Sequence, residues 1–159
     1  MGYQIFADHA VEAGIDGALI VDLPPEEAGD FNKIMTAANL ASIFLLSPTS
    51  NDERITKITN AGSGYLYYVS LKGVTGSNAL NMDEVSSKVD HIREFTDLPL
   101  GVGFGIKDAE TAALVSKTAD AIIVGSAIVK IIEENSDDAD TINRDIGHLV
   151  KSMRTAIDT

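Results

Sequence analysis

The run Leu100-Gly101-Val102-Gly103-Phe104-Gly105-Ile106 decides how this chain folds. It starts as an apolar strand, turns glycine-rich where that strand would end, and leads into a helix whose expected cap is Asp108. Downstream, Ala121-Ile122-Ile123-Val124 ends on Gly125-Ser126 and opens the helical segment Ala127-Ile128-Val129-Lys130. The spacing Gly101-x-Gly103-x-Gly105 is not the dinucleotide pattern G-x-G-x-x-G, and it comes late in the chain, which sets a NAD site aside.

Upstream, further apolar and β-branched runs recur at Ala18 to Leu23, Ser42 to Leu46 and Tyr65 to Val69. With the two above they read as five buried parallel strands. Segments with helical spacing lie between them, such as Phe31, Ile34, Met35 and Ala38, and then Val85, Val89 and Ile92. The last helix carries the most periodic stripe, Ile142, Ile146, Leu149, Val150, Met153 and Ile157, expected as core packing. Strand-helix units about 25 residues apart mean a parallel sheet covered by helices, either open and doubly wound or closed as a barrel. Periodicity alone does not choose between them. The glycines do, because an anion site after the last two strands is a recurring feature of (β/α)8 barrels.

The physics of that site comes from its residue types. Glycines at consecutive strand ends let an anion approach backbone N–H groups closely, and the helix that starts after Gly125 adds the positive end of its dipole. Ser126 adds a hydroxyl. An earlier cluster, Ser70-Leu71-Lys72-Gly73-Val74-Thr75-Gly76, comes after the aromatic strand and is read either as a lid over a ligand or as a surface loop whose glycines serve turn geometry. Such a cup holds phosphate without a basic surface. This matters because 24 acidic against 12 basic residues leave a net charge of -12, which opposes non-specific binding to nucleic acid or anionic membrane.

The remaining composition bounds the class. A hydrophobic content of 45% with 23% charged residues describes a globular chain rather than a disordered one. The absence of cysteine excludes disulfides and thiolate zinc sites and suits a cytoplasmic setting. Neither a secretory leader nor a membrane span is read from the sequence. The acidic residues Glu133, Glu134, Asp137, Asp138 and Asp140 read as a solvated, helix-capping connection, and no metal site is assigned. Residues 1-159 are read as a single partial barrel domain, with its phosphate-binding strand ends within 64-135.

Taken in order, four motifs resemble those of the tryptophan synthase alpha subunit: Asp16 through Pro24, Gly64-Tyr65 through Gly76, Gly103-Phe104-Gly105-Ile106, and Gly125 through Glu133. The resemblance spans nearly the whole chain and implies a TIM (β/α)8-barrel lyase of which this chain covers strands 4 to 8 with their helices. The implied reaction is retro-aldol cleavage of indole-3-glycerol phosphate to indole and glyceraldehyde 3-phosphate in tryptophan biosynthesis. It uses no cofactor in this subunit, and the indole passes to a beta-subunit partner.

By the same resemblance Gly76, Gly105, Gly125 and Ser126 match substrate phosphate-binding positions, and Phe104 borders the indole pocket. Thr75 belongs to the lid, Tyr67 stands near the catalytic carboxylates as an auxiliary, and Asp22 and Pro24 match the beta-subunit contact. From the residues alone, Asp22 reads as a strand-end cap and Tyr67 as a core aromatic. The family's two proton-transfer carboxylates lie on earlier strands, and no carboxylate in this chain matches either.

Two other functions share these features. One is a non-catalytic phosphate-binding or beta-subunit-binding module. The other is a phosphate-substrate barrel isomerase or epimerase, against which the Gly73-Val74-Thr75-Gly76 lid argues. Five barrel strands would also leave two unpaired edges and uncovered apolar surface. The chain is therefore expected to pair with another copy or with a complementary fragment, to close in an unusual way, or to be part of a longer protein.

Overall fold

In a computed structural model of the chain, residues 1-70, 82-103 and 105-159 are described. Helix and strand alternate: α1 (Tyr3–Glu12), β1 (Gly17–Leu19), α2 (Gly29–Ala37), β2 (Ala41–Leu46), α3 (Asp52–Ala61) and β3 (Leu66–Val69). Next come α4 (Met82–Arg93), β4 (Leu100–Gly103), α5 (Ala109–Val115), β5 (Ala121–Ile123), α6 (Ser126–Glu134) and α7 (Ala139–Ile157). The strands form one parallel ladder in the order β1-β2-β3-β4-β5. A doubly wound sheet reverses its strand order at a switch point, whereas this order never reverses. The architecture is a partial (β/α)8 barrel, as the glycine pattern indicated.

The two faces of β2 and β3 differ in burial, whereas all four residues of β4 are buried and none of β1 or β5 is. Phe44, Leu46, Leu66, Tyr68, Leu100 and Val102 alternate onto the helix-covered face and are buried, where they pack with Ile55, Ile58, Val85, Val89 and Ile92 in the main core. A second core joins Ala7, Ala10, Phe31, Met35 and Leu40 under α1 and α2, with the ring of Tyr3 edge-on to Phe31 at 5.4 Å. The opposite face carries Leu19, Ile43, Leu45, Tyr67, Val69 and Ile123, all only half-buried.

Side-chain caps mark the starts of α3, α5 and α7. Asn51 accepts a hydrogen bond from the Arg54 amide at 2.9 Å to begin α3. Asp108 and Thr111 form a reciprocal capping box on α5, as the sequence suggested for Asp108, and Asp138 caps α7 through the Thr141 amide. The Asp120 carboxylate accepts from the Leu100 amide at 2.8 Å and from Arg93 at 2.9 Å, which ties the start of β4 to the helix before it.

Two expectations need correcting. The first strand stops at Leu19 rather than Leu23, because Ile20 to Leu23 form a turn in which the Leu23 amide donates to the Ile20 carbonyl. As an edge strand, β1 has only β2 to extend against. The α7 stripe is not a uniform core either: Met153 is buried, Ile142, Ile146, Leu149 and Ile157 are half-buried, and Val150 is exposed. α7 packs on α5 and α6 at the end of the sheet where no further unit covers it.

Candidate functional site

Parallel α/β sheets present ligands with their carboxyl strand ends, so the candidate site lies at the carboxyl ends of β3, β4 and β5. The register sets Gly103 beside Ile123. Gly105 and Gly125, each two residues further along, therefore lie on neighbouring loops. Gly105 adopts a left-handed φ of 77°, a region open to glycine at no steric cost. That turn leaves Gly105 exposed while Ile106 enters the core.

On the neighbouring loop, the Gly125 carbonyl accepts from the Ile128 and Val129 amides and so closes the first turn of α6. The amides of Ser126 and Ala127 have no intrahelical acceptor there, and a Cβ at Gly125 would meet open space. Gly105 on one loop and Gly125 and Ser126 on the next thus lie at the carboxyl ends of adjacent strands, the second pair at a helix N-terminus, which favours anions. Gly76, Thr75 and Phe104 lie outside the described residues.

Tyr67 is half-buried on the uncovered face of the sheet. Burial is the main cause holding its phenol above the ordinary tyrosine value, and neighbouring Tyr65 adds to it. Although the register places it opposite Gly101, its ring leans toward the carboxyl end and lies against Gly103. Tyr65 does the same one step earlier, with its ring 3.3 Å from where a Gly101 Cβ would stand. Two tyrosines thus rest on two strand glycines, a diagonal cross-strand pairing. Gly101 and Gly103 serve first as seats for these rings. Beyond them, Ser70 donates both its amide and its hydroxyl to the Gly103 carbonyl, at 3.0 and 2.9 Å.

Asp22 and Pro24 sit at the other edge of the sheet, at the same end of the strands. They line an open depression of about 300 Å³ together with Ile20, Val21, Leu23, Pro25, Phe44 and Arg54. Asp22 is exposed in the turn after β1. At the rim, Arg54 donates to both carboxylate oxygens of Glu26 at 2.8 and 2.7 Å, and Lys57 lies 2.8 Å from Glu53. The Glu26 carboxyl is held below its ordinary range by its own backbone amide first and then by Arg54.

Chemistry is limited by what the inner face lacks. Its described strand positions, from Leu19 and Ile43 through Tyr67 to Gly103 and Ile123, include no carboxylate. Among the described residues no group of three His, Asp or Glu side chains converges to hold a metal ion, and no helix is long and apolar enough to cross a membrane.

Sequence reasoning missed the Tyr-on-Gly pairs and the Arg54–Glu26 pair. The first had a readable signal, Tyr-x-Tyr in one strand against Gly-x-Gly in the next. The second, spanning 28 residues, had none.

Comparison with known proteins agrees with the partial-barrel fold. The family model for the tryptophan synthase alpha chain matches residues 1–158. The chain is 53% identical over 158 residues to a tryptophan synthase alpha chain of Methylococcus capsulatus, covering 99% of this chain and 59% of that one. It is 51% identical to that of Marinobacter nauticus, again covering 59% of the relative. Among solved structures, subunit alpha of tryptophan synthase from Legionella pneumophila str. Paris superposes with a TM-score of 0.85 at 45% identity, over 99% of this chain and 57% of that one. The chain therefore spans about three-fifths of the length of the curated relatives it matches.

Proposed function

The chain belongs to the tryptophan synthase alpha-chain family, and from that premise we propose that it holds the substrate-phosphate side of a lyase site for indole-3-glycerol phosphate. The reaction is retro-aldol cleavage in tryptophan biosynthesis. The bond between indole C3 and the glycerol chain breaks, a proton is delivered to C3, and the proton of the adjacent glycerol hydroxyl is removed, giving indole and glyceraldehyde 3-phosphate. Binding and orientation fall to this chain, with Gly76, Gly105, Gly125 and Ser126 on the phosphate, Phe104 at the indole and Thr75 in the lid.

The observation that carries this reading is the adjacency of the Gly105 turn and the Gly125–Ser126 helix start at neighbouring strand ends. Residues 64-135 contain these strand ends, within one partial-barrel domain over 1-159. Tyr67, kept protonated by burial, is suited to donate a hydrogen bond rather than to act as a base. Asp22 and Pro24, beside the depression after β1, are assigned to the beta-subunit contact. The setting is cytoplasmic.

A second reading rests on the absence of carboxylates from the described strand positions of the inner face. General acid–base chemistry needs a group of suitable pKa within reach of the reacting atoms, and the chain by itself then acts as a module that binds phosphate or the beta subunit. Indole release from indole-3-glycerol phosphate, measured with and without a beta subunit, separates the two. Phosphate-competed binding without release identifies the module. Release that survives Gly105→Asp would rule out the phosphate cup.

A further inference from the structure

We infer that Arg54, on the first turn of α3, is the positioning residue of the loop between β1 and α2, holding Asp22 and Pro24 in place through its two-oxygen grip on Glu26. The inference rests on the reading of Asp22 and Pro24 as the beta-subunit contact, and it adds the group that sets their geometry.

That loop has little else to fix its middle. It leaves an edge strand whose only neighbour is β2, and its described backbone hydrogen bonds stay local: the Leu23 amide donates to Ile20, that of Glu27 to Pro24 and that of Ala28 to Pro25. Prolines 24 and 25 have no amide to add. Apolar packing holds the flanks, since Leu23 rests against both cores and Ala28 is buried. Between them, Glu26 is gripped by Arg54 from 28 residues away, at 2.8 and 2.7 Å to its two carboxylate oxygens. A two-point contact fixes direction as well as distance. Lys57 is not equivalent, because it lies 3.7 Å from a Glu26 oxygen and 2.8 Å from Glu53. Arg54 also lines the same depression as Asp22 and Pro24, so the guanidinium and the two contact residues share one surface.

The base from which Arg54 reaches is itself anchored. Asn51 caps α3 on the Arg54 amide. From α4, Lys88 donates to the Ser50 carbonyl at 2.7 Å, and His91 Nε2 lies 2.8 Å from Asp52 Oδ1. α4 thus holds the start of α3, and Arg54 carries that position across to the loop after β1. With side chains 40% and 45% exposed, the Arg54–Glu26 pair adds little to global stability. Its effect falls on where the loop stands rather than on whether the chain folds.

The test compares the parent chain with Arg54→Gln, Glu26→Gln, the double variant and Arg54→Lys. Three quantities are read: hydrogen exchange at the Leu23, Glu27 and Ala28 amides, affinity for a tryptophan synthase beta subunit, and the urea midpoint. Each single glutamine variant should exchange faster at these amides and bind the beta subunit about two- to fivefold more weakly, the range an exposed ion pair supplies, with the urea midpoint nearly unmoved. The double variant should lose no more than either single one, because both act through one contact. Arg54→Lys, which lacks the fork, should fall between the parent and Arg54→Gln. Losses that multiply in the double variant would show Arg54 touching the partner itself and overturn the inference. Unchanged exchange would overturn it too, as would a fall in the urea midpoint large enough to account for the faster exchange. A parent chain that binds no beta subunit counts against the partner reading alone, and exchange at the three amides then decides the positioning.

Discussion

The ring of Tyr67 lies across Gly103 so closely that a methyl group at that glycine would stand 2.6 Å from Cε2 and 2.9 Å from Cζ of the phenol. Glycine at 103 therefore leaves room for the Tyr67 ring to lie across the strand. The lean of the ring carries the hydroxyl toward the ends of β3 and β4, where Ser70 is bound to the Gly103 carbonyl.

Substituting the two seats should give unequal losses. Gly103→Ala forces a rigid ring to move and is expected to destabilise by about 1–3 kcal/mol, the usual range for overpacking. Gly101→Ala should lose less, because its nearest obstacle is the terminal methyl of Ile123 at 3.0 Å, which can rotate away. Urea unfolding of both variants measures the order, and a larger loss at Gly101 would contradict it.

The Tyr67 phenol, raised from 10.0 chiefly by burial, has a defined effect on alkaline stability. Below pH 10 both the folded and the unfolded chain keep the proton, and the group contributes no pH dependence. Above it the unfolded chain ionises first, so stability falls as pH rises through the ordinary value toward the folded one. Tyr67→Phe should flatten that alkaline decline, and an unaltered slope would show that the phenol is not shielded.

At the α5 cap the sign is opposite. The Thr111 backbone amide, followed by the Thr111 hydroxyl, holds the Asp108 carboxyl below its ordinary value of 3.8. Its contribution is complete above that value and is lost as pH falls through the depressed one. Asp108→Ala should cost about 1 kcal/mol at neutral pH, and the gap from the parent should close in acid. A gap constant with pH would mean that the cap acts without its charge.

The five strands, the amphipathic helices and the Asp108 cap were legible in the sequence through local period and capping chemistry, so Phe31, Met35, Val85, Val89 and Ile92 are buried as their spacing requires. The end of β1 was not legible. Ile20 and Val21 are strand-forming residues that become turn because an edge strand lacks a second neighbour, a fact of topology. Val150 keeps its place in an apolar stripe yet is 47% exposed, because the helix period marks a face without saying what covers it. At the site, the glycine loops were legible by position. Gly101 and Gly103 were not legible as ring seats without the β3–β4 register.

Gly105 separates backbone strain from ligand contact. At a φ of 77°, Gly105→Ala is expected to lose about 1–2 kcal/mol, while Gly105→Asn, a residue that tolerates the left-handed region, should lose less. Both place a side chain where the phosphate is proposed to sit, so both should weaken phosphate binding. Full affinity in Gly105→Asn alongside restored stability would move the phosphate elsewhere.

We propose that this chain holds the phosphate side of the family's site, with no carboxylate at the described inner-face strand positions to move a proton. Equilibrium binding of indole-3-glycerol phosphate to the 159-residue chain, with inorganic phosphate as competitor and released indole assayed in the same samples, tests it most directly. Saturable binding that phosphate displaces and Gly105→Asp weakens, with no indole formed, is the predicted result. Indole released by the chain alone, or binding indifferent to phosphate, would contradict it.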